Sequence, residues 1–142
     1  MADILQDGRI LAVEKSARSF RDLLDVARLR TNVLPVLSDA QDLDALTAVS
    51  PGGADVVYQD IAQRDQAAIF LRAARRFLRP GGLGILMVKA RSVSIAEDPR
   101  RIYERAERTL VDAGFAVVER RDLAPFEKDH AAVLVHRPGT VR

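Results

Sequence analysis

Short, nearly unbroken apolar runs alternate with amphipathic stretches along the whole chain. That alternation narrows the possible folds more than any other feature of the sequence. Arg9–Glu14 (RILAVE), Asn32–Leu37 (NVLPVL), Asp55–Tyr58 (DVVY), Gly84–Ala90 (GILMVKA), Phe115–Glu119 and Ala131–Val135 read as strands. Between them, Ala17–Arg30 carries Phe20, Leu23, Leu24 and Ala27 at helical spacing, with Ser16 as its N-cap. Asp42–Val49 reads as a short helix. Asp65–Leu78 places Ile69, Phe70, Ala73, Ala74, Phe77 and Leu78 on one arc and Arg72, Arg75, Arg76 and Arg79 on the other, with Pro80-Gly81-Gly82 as its stop. Pro99–Ala113 turns Ile102, Ala106, Leu110 and Ala113 inward and stops at Gly114. Strands separated by helices predict an α/β fold, a three-layer sandwich around a mostly parallel sheet. Pro35 removes a ladder donor and so predicts that its strand lies at an edge.

A chain of 142 residues fits one domain, spanning 1–142. It contains no cysteine, which excludes disulfides, thiolate catalysis and cysteine metal sites, and makes the reducing cytoplasm the expected compartment. Two histidines, His130 and His136, are too few for a histidine-rich metal site, and His136 is assigned no role. No run approaches the roughly 20 apolar residues of a membrane span. A net charge of +2, from 22 basic and 20 acidic side chains, is too balanced for strong nonspecific attraction to nucleic acid. The arginine stripe of the Asp65–Leu78 helix is either a solvated face or a contact for RNA phosphates or an acidic partner.

Ligands of parallel α/β sheets bind at the carboxyl ends of the strands. Glu14, Asp39, Asp60, Lys89 and the segment before Ala131 stand at those ends. An acid at Glu14 suits the two hydroxyls of a ribose, or is simply a strand-end acid facing solvent. Asp39 suits an amino group of adenine, or caps a turn. Asp60 and Lys89 would sit side by side on adjacent strands, as an ordinary ion pair or as a lysine held ready to polarise a hydroxyl. His130 follows an EKD run and suits the same cleft, or is structural. No phosphate-binding glycine motif occurs: Pro80-Gly81-Gly82-Leu83-Gly84 runs from helix to strand, the reverse of a phosphate loop. No G-x-S-x-G elbow supports a serine hydrolase.

Read together, ADILQDGRILAVEKSARSFRDLLDVARLRTNVLPVLSDA (Ala2–Ala40), DVVYQDIAQRDQA (Asp55–Ala67), FLRPGGLGILMVKARS (Phe77–Ser92) and APFEKDHAAVLV (Ala124–Val135) resemble fibrillarin over about Ala2–Pro138. PFEKDHA is the most specific single run. The resemblance implies a Rossmann-like class I methyltransferase fold with an antiparallel last strand and the strand order 3-2-1-4-5-7-6. It implies S-adenosylmethionine as cofactor and transfer of its methyl group to a ribose 2′-hydroxyl of rRNA or tRNA. By that resemblance Glu14, Lys15, Asp39, Ala40, Asp60 and Gln63 face the cofactor, with Lys15 standing where the family usually has an aromatic. Asp60, Lys89 and His130 match members of the family's catalytic set: Lys89 addresses the hydroxyl, Asp60 orients Lys89 and His130 positions the substrate. Implied partners are a box C/D guide RNA with its target RNA, a Nop-type scaffold and a kink-turn-binding protein.

Against the family pattern, the first sheet strand, the glycine-rich loop after it, the first catalytic lysine and the small N-terminal domain have no counterpart in this sequence. The domain is therefore expected to be incomplete at its N-terminus. Three outcomes are open for the strands flanking the gap: direct closure, pairing Arg9–Glu14 with Asp55–Tyr58, which ranks slightly first; a strand supplied by another chain; or a fragment unstable by itself. The alternative reading is a non-catalytic descendant that serves as an RNA-particle or protein-binding module.

Overall fold

A computed structural model describes residues 1–5 and 7–139. The chain divides into two compact units, Met1–Pro51 and Gly52–Arg142.

In the first unit, β1 (Ile10–Glu14) and β2 (Val33–Leu37) form a parallel pair with Glu14 opposite Leu37. α1 (Ala17–Leu29) connects them, and the Ser16 hydroxyl accepts the Ser19 N–H at 3.3 Å, as its position before the first apolar repeat predicts. Pro35 lies opposite Ala12 in a strand bonded on one side only, the edge placement its missing N–H requires. α2 (Leu43–Val49) is capped by Asp42, whose carboxylate accepts the Ala45 N–H at 3.0 Å.

In the second unit the elements are β3 (Ala54–Gln59), α3 (Gln66–Phe77), β4 (Leu78–Lys89), α4 (Ala90–Val93), α5 (Pro99–Asp112), β5 (Ala116–Asp122) and β6 (His130–His136). The sheet order is β3-β4-β6-β5. β3 and β4 are parallel, and β6 runs antiparallel to both β4 and β5. The last strand is thus the reversed one, as expected. Phe70 and Ala74 of α3, Ile102, Tyr103, Ala106 and Leu110 of α5, Leu86 and Val88 of β4, and Ala131, Val133 and Val135 of β6 form one buried cluster. Alternate residues of β4 and β6 therefore bury against the two helices.

The structure corrects two expectations and adds one element. The strands form two sheets rather than one: β1 is bonded to β2 alone and β3 to β4 alone, so the expected direct closure is not among the ladders and each of these strands keeps one edge unbonded. β4 begins at Leu78, six residues before the expected start at Gly84. Leu78 already pairs with Ala54, and a register shift lets the strand run through Pro80-Gly81-Gly82. Gly81 takes φ 82, open to glycine, and a β-carbon on Gly82 would come within 2.9 Å of the Asp55 carbonyl. The glycines there serve a strand irregularity. The short helix α4 has too few residues for a periodic signal and went unread.

Gly84 marks where α3 and the sheet meet most closely. A β-carbon there would lie 2.6 Å from Phe70 Cζ and 2.8 Å from Val135 Cγ2. Gly84→Ala is expected to cost about 1–3 kcal/mol through overpacking, measured as a lower midpoint in urea unfolding. Among the described residues no helix is long and apolar enough to cross a membrane.

Candidate active site

The carboxyl ends of β3 and β4 and the start of β6 meet in the second unit. Asp60 directly follows β3, and its Oδ1 lies 3.0 Å from Nζ of Lys89, the last residue of β4. Lys89 stands opposite His130, the first residue of β6, in the antiparallel ladder. Directly opposed residues project to the same face with β-carbons about 5 Å apart. Asp60, Lys89 and His130, expected from the sequence to share a cleft, are therefore brought together. The Lys89 and Asp60 side chains are 27% and 39% exposed, so the pair is anchored yet open to a ligand.

His130 is oriented by its own loop. Its Nδ1 lies 2.8 Å from the Lys128 carbonyl oxygen and 3.7 Å from a Glu127 carboxylate oxygen. A carbonyl oxygen only accepts, so Nδ1 donates, which leaves Nε2 as the ring nitrogen free to meet a ligand. Tyr58 adds a phenol beside Asp60. Burial first, then the Asp60 charge and a hydrogen bond to it, hold that phenol above its ordinary pKa, so it stays protonated as a donor to the carboxylate.

Beneath the cluster lies a device that the search for strand-end charges missed. Gln66, at the start of α3, is 2% exposed. Its Oε1 accepts the Lys89 N–H and its Nε2 donates to the Lys89 carbonyl, both at 2.9 Å. The buried Gln59 side chain in turn donates to the Gln66 carbonyl at 2.8 Å. One side-chain amide thus copies a ladder partner and fixes the backbone of Lys89 where β4 ends. The signal was present: Gln66 lies three and four residues before Ile69 and Phe70, on the buried arc of the helix, where a polar side chain needs a specific partner. Gln63 is half-buried in the turn before α3, three residues after Asp60. A cleft of about 190 Å³ lined by Gln66, Val88, Val93, Arg105 and Thr109 does not include Asp60, Lys89 or His130.

Two loops border the cluster. Arg91 donates to Asp129 Oδ2 and to the Ile95 carbonyl, each at 2.8 Å, and so ties 94–98 to 123–129. Asp129 adopts φ 59, and its carbonyl accepts the Ala90 N–H at 2.9 Å.

The first unit holds the other sequence-derived positions. Glu14 ends β1, and its Oε1 accepts the Ser16 N–H at 2.7 Å. Asp39, two residues beyond β2, accepts the Gln41 N–H on Oδ1 at 2.9 Å, and its Oδ2 lies 3.6 Å from Lys15 Nζ. Ala40 follows it, half-buried. Two carboxylates at the ends of adjacent parallel strands form an acceptor set, which suits the donor hydroxyls and amino group of an adenosine. Lys15 spends its charge on Asp39.

Of the four arginines expected on one helix stripe, Arg79 lies in β4 instead, where it donates to the Gly52 carbonyl at 3.0 Å and to Asp55 at 2.8 Å, and Arg75 of α3 donates to the Ala113 carbonyl at 3.5 Å.

A family profile described as fibrillarin matches residues 1–138. The fibrillarin-like rRNA/tRNA 2′-O-methyltransferase of Methanothermobacter thermautotrophicus is 41% identical over 138 residues, which is 96% of this chain and 61% of that protein. Among solved structures, a fibrillarin/Nop5p complex is 34% identical with a TM-score of 0.90, covering 96% of this chain and 64% of its match. Fibrillarin of Aeropyrum pernix, with natively bound S-adenosyl-L-methionine, is 41% identical with a TM-score of 0.81, covering 93% of this chain and 57% of its match. The chain spans about three-fifths of the length of the relatives it matches.

Proposed function

This chain belongs to the fibrillarin family, and on that premise we propose that it carries the hydroxyl-activating part of an S-adenosylmethionine-dependent RNA ribose 2′-O-methyltransferase. The observation that carries the reading is the Asp60–Lys89 pair at 3.0 Å with His130 directly across the ladder.

A ribose hydroxyl is a weak nucleophile until its proton begins to leave. Lys89, its ammonium held by Asp60, donates to the hydroxyl oxygen and stabilises the negative charge that grows there. His130 offers Nε2 as the acceptor that orients the O–H and receives its proton as the new C–O bond forms. Asp60 is a positioning residue, acting through Lys89, and Tyr58 steadies its carboxylate. S-adenosylmethionine, when bound, would supply the electrophilic methyl group, whose carbon–sulfur bond breaks as the C–O bond forms and leaves a neutral thioether. In the first unit Glu14 would accept from the ribose hydroxyls of the cofactor, and Lys15, Asp39 and Ala40 would face its adenine; in the second unit Gln63 is the cofactor-facing position. The substrate is rRNA or tRNA paired to a box C/D guide, and the assembly includes a Nop-type scaffold, as in the solved fibrillarin/Nop5p complex, and a kink-turn-binding protein. The compartment is the cytoplasm, which suits a chain free of cysteine.

The test is nucleoside analysis of a guide-paired RNA after incubation with the protein and methyl-labelled cofactor, beside calorimetric titration of the cofactor. Label in a single 2′-O-methyl nucleotide is expected. Cofactor binding with label on a base, or with no label on RNA, would overturn the reading.

A further inference from the structure

We infer that Phe126 is a stacking residue for an RNA base next to the ribose that reaches Lys89 and His130. The inference rests on the reading above and names a contact that reading lacks.

Phe126 is 92% exposed, the most open of the large apolar side chains among the described residues. Single exposed apolar residues are common, and by themselves say nothing. What sets this one apart is how it is held. Its loop is braced at both ends and across its middle. The Leu123 N–H donates to the His130 carbonyl at 3.0 Å, the Glu127 N–H to the Leu123 carbonyl at 2.9 Å, and the Ala124 N–H to Asp122 Oδ1 at 3.0 Å. Asp129 is locked by the Arg91 and Ala90 contacts described above. A loop with this many bonds fixes the backbone that carries the ring, so little backbone entropy remains to be lost when a ligand binds.

The place is next to the chemistry. Phe126 is four residues before His130 in the same braced loop, and its neighbour Glu127 reaches the His130 ring. Charges of both signs stand around it: Lys128 and Glu127 on the loop itself, and Arg91 paired with Asp129. An open aromatic face beside the groups that address a ribose hydroxyl suits the adjoining nucleobase, and base–aromatic stacking tolerates any base identity. A protein partner is the weaker fit. The one other strongly exposed apolar side chain on these loops is Ile95, at 83%, and two such residues among charges fall far short of a standard protein interface.

The experiment is steady-state methyl transfer by the full protein with its guide and substrate RNA, comparing Phe126→Ala, Phe126→Trp and the unaltered protein. A second readout is the fluorescence of a 2-aminopurine placed beside the target nucleotide. Phe126→Ala is expected to raise KM for substrate RNA about tenfold, with kcat at saturating RNA and cofactor binding unchanged. Phe126→Trp should restore KM. The fluorophore should be quenched on binding the unaltered protein and not on binding Phe126→Ala. Unchanged KM with equal quenching would overturn the inference. So would a loss of co-sedimentation with a Nop-type partner while RNA binding is kept, because that would make the ring a protein contact. If the unaltered protein transfers no methyl group, the reading of the activity fails, and quenching still decides the stacking by itself.

Discussion

Lys89→Met should lower methyl transfer by about two to three orders of magnitude, the usual loss when a preorganised donor to a developing oxyanion is removed, and leave the fold in place. The two parts of this expectation come from different parts of the residue. The backbone of Lys89 is fixed by Gln66 through two hydrogen bonds of 2.9 Å, and these do not depend on the side chain. Methionine keeps the length and most of the apolar stem. What is lost is the ammonium, and with it the ion pair to Asp60. That pair is about a third exposed, so its removal should change stability by less than about 1 kcal/mol. The growing charge on the hydroxyl oxygen, by contrast, loses its stabilising cation at the moment of transfer. A stopped assay of labelled methyl transfer measures the first effect, and urea unfolding followed by circular dichroism measures the second.

Gln66→Leu should show the opposite pattern, a large loss of stability caused by a residue that touches no ligand. Leucine has nearly the right volume for the site but neither donates nor accepts. The Lys89 N–H and carbonyl would be left without partners at the end of β4. Each stranded buried group costs about 1–3 kcal/mol, so a loss of about 3 kcal/mol is expected. It would be read as a fall in the urea midpoint at unchanged slope. Gln66→Glu provides the control. Its carboxylate can still accept from the Lys89 N–H but faces the Lys89 carbonyl with no proton to donate, and burial penalises its charge. The carboxyl pKa in the folded protein would then lie above its unfolded value. The fold prefers the protonated form, so stability is greatest at low pH and falls as pH rises through the raised pKa. A Gln66→Glu variant whose stability is independent of pH would show that the amide is not the fastener described here.

The Gln66 result bears on how much was legible beforehand. Strands and helices were readable because their apolar residues repeat with periods of two and 3.6, and the capping of α1 by Ser16 followed from residue chemistry alone. Asp60, Lys89 and His130 were readable because charge at the end of an apolar strand stands out, and a ladder brings such ends together. Gln66 was passed over because an amide carries no charge and its work is on a backbone. The extent of β4 was misread because Pro80-Gly81-Gly82 looks like a turn, whereas pairing of Leu78 with Ala54 carries the strand through it. The division into two sheets falls at the gap left by the strand without a counterpart, but no residue pattern fixed whether the strands flanking it would pair with each other, since edge pairing depends on which strands are available in space.

The most direct test of the account is a double-mutant cycle on kcat with Asp60→Ala, Lys89→Met and both together. If Asp60 works by holding the ammonium 3.0 Å away, removing it after Lys89 is already gone should cost nothing further, and the double variant should match Lys89→Met. Losses that multiply would mean that Asp60 acts on the substrate or cofactor independently, contradicting the account of these two side chains as one working unit.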